Sequence, residues 1–389
     1  MDRHFNTRLN AWDDSALLEL FKPENMRRPE NINFGIGEMD FVTPRPIIDA
    51  CKGALDRGFT FYAPTLGVPE LRRALADSAG KEYGIPLSQD EIFVTPGGTN
   101  AIFDTILSLM DAGEEVLYPD PGFPAYMPQI ILAGGVPVPY PLTGERDFVP
   151  DPEEIRRRIT QKTKILILNS PSNPVGNIIP VETLAEIAKI VQEKDLWVLS
   201  DEAYKHIVYP PDTHTTILTV PGMRERTVVA CTFSKTFAMT GWRLGYLIAP
   251  PRFAGAFFKV FQYSVTSVSA FIQVAAADAV RQGRPLYEDI LTRMTARRDC
   301  MERELRDAPG VSFPKPQAAF YVFLNVKATG LPSMEVSKRL LEDYALVTIP
   351  GRLFGEHGEG YLRLSYAIDE EKVKEGAARL KKALEKLIP

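Results

Sequence analysis

The middle of the chain alternates between strand-like and helix-like segments, and this rhythm limits the possible folds more than any other feature. The predicted strands are apolar runs at residues 91–95, 115–118, 164–168, 196–199, 227–231 and 244–248. Apolar residues at helical spacing lie between them, for example Leu184, Ile187 and Val191. Strands that alternate with helices are typical of a parallel sheet covered by helices. We therefore predict a three-layer α/β fold, with a mostly parallel sheet and helices on both faces.

The C-terminal part shows a different pattern. Residues 285–307 predict a long helix, and residues 319–325 and 361–366 predict strands. The last helix carries apolar residues on one face, at Val373, Ala377, Leu380, Leu384 and Leu387. Long helices with separate strands favour a smaller α+β domain.

The chain has 389 residues, which is long enough for two or three domains. We predict a large ligand-binding domain over residues 46–284 and a small domain over residues 285–389. An N-terminal segment, residues 1–45, is expected to join the small domain.

Composition excludes several classes of protein. The 45 basic and 50 acidic residues give a net charge of −5, whereas nucleic-acid-binding proteins usually carry a basic excess. The three cysteines are far apart, so no disulfide framework is predicted and a reducing compartment is expected. No segment resembles a secretory signal or a membrane span, and the histidines form no metal-ligand pattern. We expect a cytoplasmic protein with no nucleic-acid partner, no membrane and no metal.

Polar residues follow several of the predicted strands, where open α/β sheets bind their ligands. Gly97-Gly98-Thr99 comes after the first strand and begins a helix, whose free N–H groups favour phosphate. An ordinary strand-to-helix turn is the alternative, because the segment is neither a Walker loop nor a G-x-G-x-x-G motif.

Three further strand ends carry an amide, a carboxylate and a lysine. They are Asn173 in an Asn-Pro turn, Asp201 three residues before Tyr204, and Lys235 eight residues before Arg243. Each has an ordinary explanation alone: a turn, a helix cap or a solvated surface lysine. Together with the glycine turn they supply the groups that hold an aromatic phosphorylated aldehyde.

The order Asn-Pro-x-Gly, Asp-x-x-Tyr and Ser-Lys-x₇-Arg resembles the class I/II aminotransferases of the fold-type I pyridoxal-phosphate family. The resemblance extends over nearly the whole chain, from Gly35-Ile-Gly-Glu-Met-Asp-Phe to Tyr361-Leu-Arg-Leu-Ser-Tyr-Ala. Thr232 departs from the pattern, which usually has serine or glycine there, but it keeps the hydroxyl.

The resemblance implies pyridoxal 5′-phosphate as cofactor and assigns a role to each residue. Lys235 would bond the cofactor covalently and later move the proton between Cα and C4′. Asp201 would keep the pyridine nitrogen protonated, so that the ring can absorb carbanion charge. Asn173 and Tyr204 would donate hydrogen bonds to the 3′ oxygen. The phosphate would be held by Gly98, Thr99, Thr232 and Arg243.

The remaining implied residues surround the ring and the substrate. Phe123 would stack on the cofactor ring. Arg363 would bind the substrate carboxylate bidentately, with Gly37 and Asn173 beside it. Tyr62 would reach the phosphate from a neighbouring subunit, which implies a homodimer with shared active sites. The reaction would be a ping-pong transfer of an amino group between an amino acid and a 2-oxo acid.

The substrate is less constrained. An acidic substrate side chain needs a second cation, yet no lysine or arginine occurs between Asp90 and Arg146 or between Lys259 and Arg281. We therefore expect a preference for neutral or aromatic amino acids, unless N-terminal cations cover the site. The candidate N-terminal residues are Arg3, His4 and Arg8.

Two alternatives stay open, and two others are disfavoured. The first is an aspartate-specific aminotransferase, and the second is a pyridoxal-phosphate-dependent β-lyase or synthase on the same fold. The third is a transcription regulator with a degenerate domain of this fold. The fourth is a Rossmann dehydrogenase, which is disfavoured because Gly35-Ile36-Gly37 lacks the third glycine.

Overall fold

The computed structural model describes residues 6–13, 22 and 28–389. Its strands are β1 (Ile32–Asn33), β2 (Ile92–Thr95), β3 (Glu115–Asp120), β4 (Val136–Pro141), β5 (Thr163–Asn169), β6 (Trp197–Asp201), β7 (Thr227–Thr232), β8 (Gly245–Ile248), β9 (Tyr321–Asn325), β10 (Leu346–Val347), β11 (Ile349–Pro350) and β12 (Tyr361–Ser365). Its α-helices are α1 (Arg45–Asp56), α2 (Pro69–Tyr83), α3 (Gly98–Leu109), α4 (Tyr126–Leu132), α5 (Pro152–Arg158), α6 (Val181–Glu193), α7 (Phe233–Thr236), α8 (Ala254–Ser264), α9 (Ala270–Gln282), α10 (Glu288–Leu305), α11 (Ser333–Tyr344) and α12 (Glu370–Leu387).

Seven strands form the main sheet, in the order β2-β8-β7-β6-β5-β3-β4. The neighbours from β4 through β3, β5 and β6 to β7 are parallel. Strand β8 is antiparallel to both β7 and β2. The predicted mostly parallel sheet is therefore confirmed, with one reversed strand.

Strand β4 is absent from our sequence prediction. Its sequence, Val-Pro-Val-Pro-Tyr-Pro, contains three prolines and therefore does not resemble a strand. Proline lacks the N–H that a central strand must donate, so it is confined to sheet edges. Strand β4 lies at the edge, where it pairs with β3 alone.

Helices cover both faces of the sheet, as strand β5 shows. Ile165 and Ile167 pack in one hydrophobic core with residues of α3 and α8. The alternate residues Leu166 and Leu168 pack in a second core with residues of α6. Because successive side chains of a strand point to opposite faces, the two cores lie on opposite sides of the sheet. The three-layer prediction is thus confirmed.

A third core joins the two ends of the chain. It contains residues of α10 and α12 and of the antiparallel sheet β11-β12-β9. Strand β1, near the N-terminus, pairs in parallel with β10 and brings residues 32–33 into this region. The domain boundaries at residues 45 and 284 stay a prediction. None of the helices in the described ranges is both long and apolar enough to cross a membrane.

Candidate active site

A cavity of about 380 Å³ lies beyond the carboxyl ends of β2, β5, β6 and β7. All but one of the predicted site residues line it: Gly37, Gly98, Thr99, Phe123, Asn173, Asp201, Tyr204, Thr232, Lys235, Arg243 and Arg363. The exception is Tyr62, whose surface is 88% exposed in the single chain. The structure therefore brings together residues that are up to 326 positions apart in sequence, from Gly37 to Arg363.

Lys235 lies on α7, the single turn that follows β7 directly. Its Nζ donates a hydrogen bond of 2.5 Å to the carbonyl oxygen of Gly37. Burial lowers the pKa of this amine to about 8, and the positive charges of Arg363 and Arg243 act in the same direction. A lysine in this state supplies a neutral amine near physiological pH, as a nucleophile requires.

Asp201 is the last residue of β6, and its carboxylate is buried. Oδ2 accepts a hydrogen bond of 2.6 Å from the hydroxyl of Tyr126, and Oδ1 accepts one of 3.2 Å from the backbone of Ala203. Burial raises the pKa of Asp201 to about 6. Within the described ranges the carboxylate has no cationic partner, so the site suits a ligand that brings a positively charged N–H.

The turn between β2 and α3 forms a cradle with Arg243. Gly97 has a φ of 90°, and a Cβ at this residue would lie 2.6 Å from Nη2 of Arg243. The positive φ favours glycine, and any larger residue would also force the guanidinium of Arg243 to shift. In the part of the chain that the structure describes, no side chain caps the first turn of α3. Its free N–H groups and the neighbouring guanidinium form an anion site.

Arg363, on β12, is buried between two aromatic rings. Its Nη1 donates to Oδ1 of Asn173 at 3.1 Å, and its Nη2 donates to the carbonyl oxygen of Gly35 at 2.6 Å. The rings of Tyr321 and Phe354 lie 4.5 Å and 5.0 Å from the guanidinium carbon. Its buried Nε has no hydrogen-bond partner among the described residues, which leaves a donor for an acidic ligand.

Two tyrosines are missing from the sequence prediction. Tyr126 donates a hydrogen bond to Asp201, and it is the first residue of α4, three residues after Phe123. Extending the search for polar residues past Phe123 would have found it. The hydroxyl of Tyr321 lies 2.7 Å from that of Tyr204. Tyr321 begins β9 rather than following it, so a search of the carboxyl ends of strands could not find it.

Among the candidate N-terminal cations, the structure describes Arg8, which adds no charge to the cavity. Nη1 of Arg8 donates to the carbonyl oxygen of Leu132 at the end of α4, and Arg8 does not line the cavity. Arg3 and His4 lie outside the described residues. No group of three or more histidine, cysteine, aspartate and glutamate residues forms a metal site in the described ranges.

Comparison with known protein families agrees with this geometry. The model of the family described as aminotransferase class I and II matches residues 29–380. The chain belongs to this family. The resemblance inferred from the motifs is confirmed.

Individual relatives of the aminotransferase cover nearly its whole length. It is 41% identical over 381 residues to an aspartate aminotransferase of Pyrococcus abyssi, covering 95% of this chain and 98% of the relative. It is 39% identical over 381 residues to aromatic-amino-acid aminotransferase 2 of Thermococcus litoralis, with coverage of 95% and 98%. The crystal structure of an aromatic aminotransferase from Pyrococcus horikoshii matches with a TM-score of 0.90 and 39% identity, covering 97% of this chain and 98% of that chain.

The aminotransferase depends on pyridoxal phosphate and acts on amino acids and oxo acids. Its cavity fits this cofactor. Among the described residues the buried Asp201 has no cationic partner, as expected for a residue that meets a protonated ring nitrogen. The cradle at Gly97 and Arg243 fits a phosphate, and Lys235 lines the same cavity as Asp201 and Arg243.

Proposed function

We propose that the chain catalyses amino-group transfer with Lys235 as its catalytic amine, and that it prefers neutral or aromatic amino acids. One observation carries the first part. A single cavity holds a lysine of lowered pKa, a buried carboxylate and two arginines, one of which retains a free donor. When bound, pyridoxal phosphate supplies an electron sink for the pair of electrons left on the substrate Cα.

Lys235 then holds and moves the proton. With a pKa of about 8, a fraction of its amine is neutral at physiological pH, and this form could accept a proton from the substrate Cα and hold it for transfer to the cofactor C4′. The hydrogen bond to the carbonyl of Gly37 directs Nζ toward the segment that we assign to the substrate carboxylate. This arrangement supports a role for Lys235 beside the substrate as well as the cofactor.

Asp201 keeps the cofactor ring in its protonated form. The buried carboxylate attracts a cation strongly because water screens it little. The hydroxyl of Tyr126 and the amide of Ala203 fix the orientation of its two oxygens. Asn173 and Tyr204 would supply the donors to the 3′ oxygen, and the side chain of Phe123 would stack on the ring.

The phosphate and the substrate carboxylate occupy separate sites. Arg243, Thr232 and the amides of Gly98 and Thr99 would hold the phosphate. Arg363 binds the carboxylate, because its guanidinium is held from two sides while Nε stays free. The fork geometry of arginine matches a carboxylate, which a lysine at the same position could not reproduce.

We also propose a homodimer in which Tyr62 completes the phosphate site of the partner subunit. Phe61, Tyr62 and Tyr263 are large aromatic side chains with exposed surfaces in the single chain. Thr65 donates to Oε1 of Gln262 at 2.7 Å, which joins the two segments that carry them. Exposed aromatic residues in one patch are typical of a protein interface.

The substrate preference follows from the charges of the cavity. Among its described lining residues the only cations are Lys235, Arg243 and Arg363, and each already has a role. The carboxylate of Glu38, by contrast, lies at the same cavity and repels acidic substrates. The specific observation that favours the alternative, an aspartate enzyme, is the Pyrococcus abyssi relative.

We also propose domain boundaries and a cellular compartment. We retain the domain boundaries at residues 45 and 284. We also retain the cytoplasm as the compartment, since Cys51, Cys231 and Cys300 are all free thiols.

An absorbance titration tests the proposal. The purified protein is loaded with pyridoxal phosphate and then mixed with single amino acids in the absence of an oxo acid. We expect a visible band that converts to the pyridoxamine form, faster with phenylalanine, methionine or alanine than with aspartate. A much faster conversion by aspartate would refute the substrate preference. Release of ammonia without conversion would identify a β-lyase, and absence of a visible band would refute the function.

A further inference from the structure

Tyr321 contacts three groups of the proposed active site at once. Its hydroxyl lies 2.7 Å from the hydroxyl of Tyr204, and its ring lies 4.5 Å from the guanidinium carbon of Arg363. A Cβ on Gly37 would lie only 2.7 Å from the same hydroxyl, so Tyr321 packs against the backbone there. The side chain is 1% exposed and lines the cavity.

The contact between Tyr321 and Tyr204 joins two different parts of the fold. Tyr321 pairs with Ser365 in the antiparallel sheet at the C-terminal end of the chain. Tyr204, by contrast, follows β6 of the main sheet. The two rings meet edge to face, with centroids 5.7 Å apart and planes at 78°. Tyr321 thus links the sheet that carries Arg363 to the main sheet that carries Asp201.

The direction of the hydrogen bond between the two tyrosines follows from counting protons. A phenol has one proton to donate and can also accept. If Tyr204 donates its proton to the cofactor, as in the proposed function, the bond between the tyrosines must be donated by Tyr321. Burial raises the pKa of both phenols, so both protons are present at neutral pH.

We propose that Tyr321 is a positioning residue that acts through Tyr204: its hydroxyl donates to the Tyr204 hydroxyl and strengthens the bond from Tyr204 to the cofactor 3′ oxygen. Hydrogen bonds in a buried chain polarise one another in this way. This inference rests on the proposed function, since it needs Tyr204 to face the cofactor.

This relay, the hydrogen bond from Tyr321 to Tyr204 and from Tyr204 to the 3′ oxygen, should shift a measurable pKa in a definite direction. A strong donor at the 3′ oxygen weakens the hold of that oxygen on the proton shared with the nitrogen of Lys235. The relay therefore lowers the pKa that the visible band reports on pH titration, and Tyr321→Phe raises it. We expect a rise of about 0.3–0.7 pKa unit, smaller than the rise of about 1 unit for Tyr204→Phe.

The experiment is a double-mutant cycle on the enzyme loaded with pyridoxal phosphate. The pKa of the visible band is measured for the wild type, Tyr321→Phe, Tyr204→Phe and the double variant. Because the relay acts only through Tyr204, Tyr321→Phe should produce no shift in the Tyr204→Phe background. Tyr209→Phe is the matched control. Its buried hydroxyl donates to Ala319 in the same hydrophobic core, but it does not line the cavity.

A second variant separates the hydroxyl from the ring. Tyr321→Phe keeps the ring beside Arg363, so the KM for the amino acid should change less than about 2-fold. Tyr321→Leu removes the ring, and the KM should rise about 5- to 10-fold.

The outcomes are distinguishable. A wild type without a visible band would contradict the proposed function itself. A band that shifts with Tyr204→Phe but not with Tyr321→Phe would overturn the relay alone, as would equal shifts by Tyr321→Phe in both backgrounds. A shift of similar size in the Tyr209→Phe control would show a general packing effect and would also overturn it.

Discussion

The two halves of the proposed active site are built in different ways. The half assigned to the cofactor comes from residues that follow successive strands of one sheet, within residues 97–243. In the half assigned to the substrate carboxylate, Gly37 and Arg363 come from opposite ends of the chain, and Arg363 meets Asn173, which follows β5. There, Nη2 of Arg363 donates to the carbonyl of Gly35, 328 residues away.

This difference shows which part of the fold fixes the positions of the residues in each half. The rigid parallel sheet fixes the cofactor half, because each functional residue lies within a few positions of a strand end. The substrate half depends on pairing between distant segments. Strand β1 pairs with β10, and the amide of Ser365 donates to the carbonyl of Phe34 at 2.7 Å. Binding of the substrate carboxylate therefore depends on the pairing of the N-terminal segment with the C-terminal part of the chain.

The largest expected effect is in the cofactor half. Lys235→Ala should lower the rate of transamination by at least about 10³-fold, because it removes the amine that we propose for both the covalent attachment and the proton transfer. The visible band should also be lost, as measured by absorbance after loading. Lys189→Ala, an exposed lysine on α6, is the control and should retain both properties. Undiminished activity of Lys235→Ala would remove the basis of the proposed mechanism.

The two arginines separate the halves most directly. Arg363→Lys should raise the KM for the amino acid about 10- to 100-fold, with little change in the Kd for pyridoxal phosphate. Arg243→Lys should show the reverse. The Kd for the cofactor should rise, and the KM for the amino acid should be nearly unchanged at saturating cofactor. Steady-state kinetics and fluorescence titration of the cofactor measure both. If both variants affected the same constant, the division into two halves would be wrong.

Asp201 provides a test at the level of stability. Its pKa of about 6 lies above the usual value of about 4 for an unfolded chain. The folded protein without cofactor therefore binds this proton more tightly than the unfolded chain does. The stabilisation that results from the bound proton is lost as the pH rises from about 4 through about 6. Asp201→Asn should stabilise the cofactor-free protein by about 1–3 kcal/mol at pH 7, and by much less at pH 4. Activity should fall by about 100-fold or more.

A matched control for this prediction is Asp104→Asn on α3. Burial raises the pKa of Asp104 to about 7, and both carboxylate oxygens lack a hydrogen-bond partner among the described residues. Asp104 does not line the cavity. Its substitution should therefore stabilise the protein without a loss of activity. Chemical denaturation at pH 4 and pH 7 measures the stabilities, and equal stabilisation by Asp201→Asn at both pH values would contradict the argument.

The smallest expected effect is at the proposed subunit interface. Tyr62→Phe removes the hydroxyl that we propose as a donor to the phosphate of the partner subunit, so the Kd for pyridoxal phosphate should rise about 3- to 10-fold. Sedimentation should show that the variant remains a dimer, because the aromatic ring is kept. An unchanged Kd would exclude Tyr62 from the phosphate site, and a monomeric wild type would exclude shared sites altogether.

The cofactor half could be predicted from the sequence because its signals are local. A strand, a turn and a polar residue at its end occupy about ten neighbouring positions, as at β7 and Lys235. The strands β1, β10 and β11 were not predicted, since each has only two residues and gives no periodic signal. Arg363 and Gly37 came from the family resemblance rather than from any local pattern.

The sequence by itself determined the alternating α/β order, the family and the residues that follow the strands of the main sheet. Only the tertiary structure decided which residues of distant segments meet there. In the structure, the hydroxyl of Tyr126 donates to Asp201 and the hydroxyl of Tyr321 lies beside that of Tyr204. Arg8 donates to the carbonyl oxygen of Leu132 instead of lining the cavity. The physical reason is that hydrogen bonds and ring contacts depend on distance in space, whereas a motif records only the distance along the chain.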